Sequence, residues 1–429
     1  MLEKLPFTEG FAMTLRFASL FALMIALFAP AEAADWTQFR GPGGLGAADK
    51  AAPTKWSSTE NIAWKTALPP GTSSPVFHGD KIFLTSYSGY NVPGEAKGEP
   101  ASLKRHLHCL DKKTGRIAWT MDFAAHLPEQ DVIRDGHGYA SSTLALDNDA
   151  IYAFFGKSGV FAFDHSGKQL WQADVGSKLS DWGSAASPLL HGDLVIVNAS
   201  VESESLFAFN RKTGKEVWRA KGIRESWNTP VIVKTAAGKP ELVVAIAGKV
   251  LGFDPAGGEP LWNCATDIRW YMVPSIVSHE GIAFCIGGRE GGGSMAIRTG
   301  GTGDVTRTHR LWMTKKGANV PSPVYHDRHV FWFNESNLLA YCAEAETGKI
   351  VYEERVERGR EVYASALLAD GKVYYLDRGG KVSIVAASPK FDLIATNDLR
   401  DGGTFNSSPV AVDGKLYLRS DKFLYCIGK

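Results

Sequence analysis

Short apolar runs recur along this chain, each a few residues long and each closed by Gly, Asp or Asn. The stretch "SPVFHGDKIFL" (74–84) holds two such runs around a His-Gly-Asp turn. It returns as "STLALDNDAIYAF" (142–154), "SPLLHGDLVIV" (187–197) and "TPVIVKTAAGKPELVVA" (229–245). The later copies are "SIVSHEGIAF" (275–284), "SPVYHDRHVFWF" (322–333), "SALLADGKVYYL" (365–376) and "SPVAVDGKLYL" (408–418). Runs this short, rich in β-branched and aromatic residues and bounded by turn formers, predict strands. Each unit reads as four of them, designated a to d: "SPVFHG", "KIFLTSY", "LHCLD" and "RIAWTMD" in the first copy. From the third unit onward the starts lie a little over forty residues apart, the repeat length of a four-stranded blade. The pattern predicts an all-β chain folded as an eight-bladed β-propeller, with seven blades as the alternative.

A second repeat accompanies the first. "LDKKTGRIAW" (110–119) is echoed by "FNRKTGKEVW" (209–218), and more loosely by "FDHSGKQLWQ" (163–172), "FDPAGGEPLW" (253–262) and "EAETGKIVY" (344–352). The turn joins strand c to strand d, and the Trp falls in strand d. A large aromatic at a fixed place in every blade suits a docking role, covering the turn of an adjacent blade. Trp119, Trp171, Trp218, Trp262 and Trp312 are the candidates. Cys109, Cys342 and Cys426 occupy equivalent strand-c positions, where other copies have Ala162, Ala208 and Gly252, and read as small buried residues. The last unit stops after strand c, at "FLYCIGK" (423–429). "NIAWKTAL" (61–68), with Trp64, is the spare strand that would complete it and close the ring. Unit seven takes "FDLIAT" (391–396) as its strand d, without a Trp.

Ahead of the repeats, residues 13–36 run from one Arg through an apolar stretch to the small residues Ala31 and Ala33, the form of an export signal cleaved near Ala33, with Met13 as a second possible start. The apolar run is short for a membrane span. The expected organisation is therefore a signal peptide over 1–33, an extension over 34–60 and the propeller over 61–429, exported to the periplasm or beyond and monomeric. Lys+Arg 47 against Asp+Glu 46 gives no basic surplus for nucleic acid. The five cysteines are too sparse for a disulfide scaffold, and their odd number leaves one unpaired within the chain.

The decamers resemble the tryptophan-docking motif of the pyrroloquinoline-quinone (PQQ) repeat propellers. "DWTQFRGPGGLG" (35–46) and "DGHGYASSTLALDNDAIYAFFG" (135–156) are similar to exported PQQ-like repeat proteins of the planctomycete type, and the whole resembles the outer-membrane assembly lipoprotein of the same fold. The resemblance implies two functions. One is a non-catalytic binding or scaffold propeller at the cell envelope, holding an envelope protein or an extracellular polymer and needing no cofactor. The other is a PQQ-dependent dehydrogenase with PQQ and Ca²⁺. The vicinal Cys-Cys pair of those dehydrogenases is missing here, as is the lipid-bearing Cys of the assembly lipoprotein. Their Ca²⁺ ligands find no residue-by-residue match.

In a propeller of this strand order the d–a loops share one face with the b–c loops. The d–a segments bring Arg134, His137, Tyr139, Trp182, Trp227, Asn228, Arg269, Trp270, Tyr271, Asn319, Arg360, Glu361, Tyr363 and Asn406 to its mouth. Aromatic groups with Arg, His and Asn suit an organic anion, a sugar or a peptide segment. The insertion at 86–105 belongs to a b–c loop on the same face. "HLHC" (106–109) places His106 and His108 on one side of a strand, a hint of metal. "GGREGGGS" (287–294) lacks the Gly-Lys-Ser/Thr ending of a phosphate loop and reads as a b–c turn. No metal ligands or catalytic residues are assigned from spacing, because a Ser-His-Asp set is a matter of geometry.

Overall fold

A computed structural model describes Met1 and residues 36–428, apart from 134–136, 290, 291, 337, 357 and 358. The expected signal segment, its cleavage point and Arg134 lie outside the described residues. Residues 34–429 fall into one compact unit, which carries all the repeats.

Eight sheets account for the repeats, one per unit, each with four antiparallel strands and two with a short fifth strand added in parallel. Blade 1 is built from Val76–His78, Lys81–Ser88, Lys104–Asp111 and Ile117–Ala124. Blade 8 takes Val410–Val412, Lys415–Arg419 and Phe423–Ile427 from the end of the chain. Its fourth strand is Ile62–Ala67, paired antiparallel with Phe423–Ile427, so the first and last parts of the fold share one sheet. That closure removes the unpaired edge an open ring would carry. Strand d of blade 7 is Leu393–Asp398, where the sequence places it.

The register explains the second repeat. In blades 1, 2, 3, 4, 5 and 8 the Trp of strand d lies directly opposite a small residue of strand c. The pairs are Cys109–Trp119, Ala162–Trp171, Ala208–Trp218, Gly252–Trp262, Ala296–Trp312 and Cys426–Trp64. A bulge at that point turns the indole outward over the next blade. Trp171 lies over Gly214, Trp218 over Gly258, Trp312 over Gly348 and Trp64 over Gly115. In each case the ring comes within 2.7 Å of where a Cβ would sit. These glycines also hold φ between 69° and 77°, so both backbone and neighbour demand the absence of a side chain. The indole N–H groups donate to turn carbonyls: Trp171 to Arg211 at 2.8 Å, Trp218 to Pro255 at 3.1 Å, Trp312 to Ala345 at 2.8 Å, and Trp64 to Lys112 at 3.1 Å. Over Gly167 of blade 2 the cover is shared: Met121 comes to 2.8 Å of the Cβ position and the outer edge of Trp119 to 3.1 Å. Trp262 departs from the pattern. Its N–H donates to Glu241 within its own blade, and the short strand Gly303–Asp304 from the longer blade 5 turn lies beside it. Blades 6 and 7 use other solutions. Tyr352 takes the Trp position opposite Cys342 and packs on Phe391, and in blade 7 the large residue moves to strand c as Ile384, opposite Ala395.

Around the axis runs a belt of hydroxyls. The N–H of Ser74 donates to Thr143 Oγ1 (2.9 Å), that of Thr143 to Ser187 Oγ (3.0 Å), and that of Ser187 to Thr229 Oγ1 (2.9 Å). Thr229 donates to Ser275 (3.0 Å), Ser275 to Ser322 (2.9 Å), Ser322 to Ser365 (3.2 Å), and Ser365 to Ser408 (3.0 Å). Ser74 Oγ completes the circuit by donating to Ser408 O at 3.1 Å. The Ser/Thr that opens each unit is thus the interblade fastener, and the Pro that often comes after it holds it extended. In the second unit the fastener is Thr143, one residue beyond the Ser142 at which the sequence pattern starts it.

The extension is not a tail. Trp36 (2 % exposed) and Trp56 (6 %) join the hydrophobic core between blades 7, 8 and 1. Trp36 O accepts from Phe77 N, Thr37 O from Leu146 N and Gly46 O from Leu368 N. The arm therefore crosses from blade to blade, three residues along strand a from the belt. Buried Arg40 pins it through Gly44 O, Leu45 O and Pro323 O of blade 6.

Candidate functional site

With the arm on one side of the belt and the d–a loops on the other, the axis becomes a closed-ended pocket. It holds about 860 Å³ of space, mouth included. Phe39 of the arm closes one end. The walls are belt residues Thr143, Ser187, Thr229, Ser275, Ser322, Ser365 and Ser408, and the loops add His137, Trp182, Trp227, Tyr271, Tyr363 and Asn406. Among these described lining residues there is no Asp, Glu, Lys, Arg or Cys.

Tyr271 is the hub of the aromatic wall. Its ring lies 4.9 Å from that of Trp182, 5.3 Å from Trp227 and 5.2 Å from Trp270. Its φ is 63°, left-handed for a bulky residue, a conformation that persists only when the surroundings enforce it. They do: Trp227 N donates to Met272 O (2.8 Å), Met272 N to Glu225 O (3.1 Å), and Asn228 Nδ2 to Met272 O (3.0 Å). Asn228, 1 % exposed, spends its amide on Ser226, Ala245 and Met272 and sits behind the wall rather than in it. Trp227 donates its indole N–H to Gly183 O at 2.9 Å. His137 is held by Ser141 Oγ on one nitrogen (2.7 Å) and Trp182 O on the other.

The other residues expected at the mouth are spread more widely. Tyr139 is buried in a small cluster with Tyr87, Tyr90 and Leu103, which anchors the insertion to the d–a loop beside it. Arg269 is exposed, and Trp270, 41 % exposed, is the outermost of the aromatic group. Arg360 lies over a separate small cavity with Phe333, Tyr375 and Asp377. Tyr363 lines the pocket, with the Arg378 guanidinium 4.4 Å from its ring centroid. Phe39, the belt hydroxyls and Arg289 were not among the residues expected from the sequence. Arg289 lies in the Gly-rich b–c turn of blade 5, 5.0 Å from the Trp182 ring centroid. The recurrent Ser/Thr-Pro was the available signal for the belt, visible as a unit marker but not as a lining.

The two histidines of "HLHC" share one side of blade 1, with ring centroids 5.8 Å apart. His106 bridges Asp122 and Ser88 at 2.8 Å each, and His108 bridges Ser86 (2.7 Å) and Thr120 (2.9 Å). Burial, then the nearby Arg419 and His106, pushes His108 down to about 3 and keeps it neutral. The Ser88–His106–Asp122 order has the distances of a hydrolytic triad, but neither the axial pocket nor the cavity beside it reaches these residues. The bonds run across the second, third and fourth strands of blade 1 as a hydrogen-bond ladder.

That neighbouring cavity is lined by Arg105, Glu129, Lys157 and Ser184. Arg105 pairs with Glu129 at 2.7 Å, and Lys157 Nζ donates to Pro128 O at 2.7 Å. Behind it Glu202, 2 % exposed, accepts from Ser184 Oγ, and burial raises its carboxyl from 4.5 to about 7. The folded state then holds a proton that the unfolded state releases near 4.5. Stability is expected to fall as pH rises from about 4.5 to 7 and to level off above, by about 3 kcal/mol for this group alone. Urea titrations at stepped pH check this: Glu202→Gln should flatten that part of the profile, and an unchanged slope would show that another group carries it.

Among the described residues no helix is long and apolar enough to cross a membrane, which says nothing of β-barrels. All five cysteines are buried and free. No curated protein matches the sequence. Solved structures do match the fold. BamB from Moraxella catarrhalis aligns with a TM-score of 0.59 at 14% identity, covering 86% of this chain and 98% of that one. The quinohemoprotein alcohol dehydrogenase from Comamonas testosteroni aligns with a TM-score of 0.61 at 11% identity, covering 92% and 81%. The computationally designed Ika8 protein aligns with a TM-score of 0.59 at 10% identity, covering 85% and 98%. At such identities the likeness is one of fold. The sequence itself matches the family described as outer membrane protein assembly factor BamB over residues 47–283 and again over 103–332, more than half of the chain, and to that family the protein belongs.

Proposed function

We propose that the protein is a non-catalytic binding propeller of the cell envelope, presenting the d–a funnel and its axial pocket to a ligand or partner. Membership of the BamB family supports the envelope setting and a role in binding. The observation that carries the reading is the pocket itself, a preformed aromatic and hydroxyl-lined cleft with no Asp, Glu, Lys or Arg among its described lining residues. An envelope protein or an extracellular polymer fits such a surface. The leader over 13–33 supports export, and amino-terminal sequencing of protein from native envelopes tests it. A first residue near Ala34 is expected, and an intact leader in membranes would count against it.

The fold is shared with an alcohol dehydrogenase, so PQQ and Ca²⁺ need a direct test of fit. Ca²⁺ takes six to eight oxygen ligands, usually with carboxylates among them. PQQ carries several carboxylates of its own. Among the described lining residues there is no carboxylate for the ion, and the arginines beside the pocket, Arg289 and Arg378, lie on the Trp182 and Tyr363 rings, so this donor set favours the binding reading over the pair. Mixing the protein with PQQ and Ca²⁺ and following dye reduction with alcohols and sugars is expected to give no turnover. Sustained reduction at catalytic rates would replace the binding reading with a dehydrogenase.

A further inference from the structure

We propose that the axial pocket takes an uncharged carbohydrate, a sugar ring stacked on the Trp182–Tyr271 wall and hydrogen-bonded by the hydroxyl belt. This rests on the funnel being the binding surface and specifies its chemistry.

Three observations point to it. The described lining has no Asp, Glu, Lys or Arg, and the two arginines beside it, Arg289 and Arg378, lie on the Trp182 and Tyr363 rings, so an ionised ligand would leave water for a poorly matched wall, a heavy penalty. The belt is a ring of hydrogen-bond donors: each hydroxyl from Thr143 to Ser408 accepts a neighbour's N–H on a lone pair and keeps its own proton to give. Against these donors stands an acceptor, Asn406 Oδ1, which is buried and without a hydrogen-bond partner. An apolar ligand would leave such groups unpaired, which costs affinity. A sugar hydroxyl donates and accepts at one oxygen and answers both. The third observation is the aromatic wall, with Tyr271 fixed at φ 63° and its ring 4.9 Å from Trp182. The electron-rich face of an aromatic ring suits the C–H face of a pyranose, whose polar groups then turn to the rim. Arg289 beside Trp182 is the feature that would favour an acidic sugar instead, so that class enters the test.

The test is calorimetric titration of the full chain with neutral cello-, malto- and chito-oligosaccharides, their uronic or sulfated counterparts, and tripeptides. A neutral oligosaccharide is expected to bind. Asn406→Leu and Trp182→Ala should each weaken it roughly tenfold or more, while Trp182→Phe retains binding and all three melt like the parent. Binding of acidic members or peptides alone, no binding by any member, or neutral binding indifferent to these substitutions would overturn the carbohydrate proposal. A crosslinker placed at Trp270 separates the two levels. A discrete adduct there without sugar binding retires the carbohydrate and keeps the funnel, and silence in both assays retires both.

Discussion

Truncating Trp218 to alanine is expected to cost about 3–5 kcal/mol, because it empties the seam between blades 3 and 4. The indole is buried, covers Gly258 and donates to Pro255 O at 3.1 Å. Neither neighbour can relax into the gap: Ala208 beneath the ring is small, and Gly258 is fixed at φ 77°. Trp270→Ala removes a half-exposed ring that touches Tyr271 and should cost far less, about 1 kcal/mol or below. Urea melts of the two variants side by side measure the contrast. Equal losses would mean that the indole over the Thr-Gly turn is not what holds blades together.

A still larger effect is expected on removing the strand that closes the ring. A chain beginning at Leu68 lacks Ile62–Ala67, so Phe423–Ile427 faces solvent along its whole length with its hydrogen bonds to that strand unmade. It also lacks Trp64, the cover of Gly115, and the arm with buried Trp36 and Arg40. An apolar open edge of this kind pairs with other chains. The shortened protein should associate or precipitate in light scattering and lose its cooperative melt. A monomer with the parent's midpoint would show that blade 8 stands without its borrowed strand.

The ring was legible because its signals are local and repeated. A Ser/Thr opening, a turn, a small residue and a Trp recur with fixed spacing, and each answers one geometric demand of an interblade contact. The spare strand around Trp64 was legible by subtraction, since the eighth unit was one strand short. What escaped was whatever depends on all blades at once. The extension gives no periodicity, and only the closed ring shows that Phe39 ends the pocket and that Arg40 reaches blade 6. Asn228 and Tyr139 share the loops of the funnel residues, yet burial turns them to fastening, Asn228 through its hold on Met272 O and Tyr139 through its packing on Tyr87. Trp262 carries the docking signature, but the extra residues in the blade 5 turn give its indole another neighbour, and Glu241 takes its N–H. Sequence spacing placed residues on the right face of the ring; the direction of each side chain was set by contacts far along the chain.

Whether the loop-face funnel is where this protein binds can be decided by site-specific photocrosslinking in native envelopes. A photoreactive side chain replaces Trp270 at the mouth, or Val217, exposed on the outer strand of blade 3, as the control. A discrete adduct is expected from position 270, diminished when Trp182→Ala is added, and none from 217. Adducts from 217 with silence at 270 would contradict the funnel and move the binding surface to the outer rim.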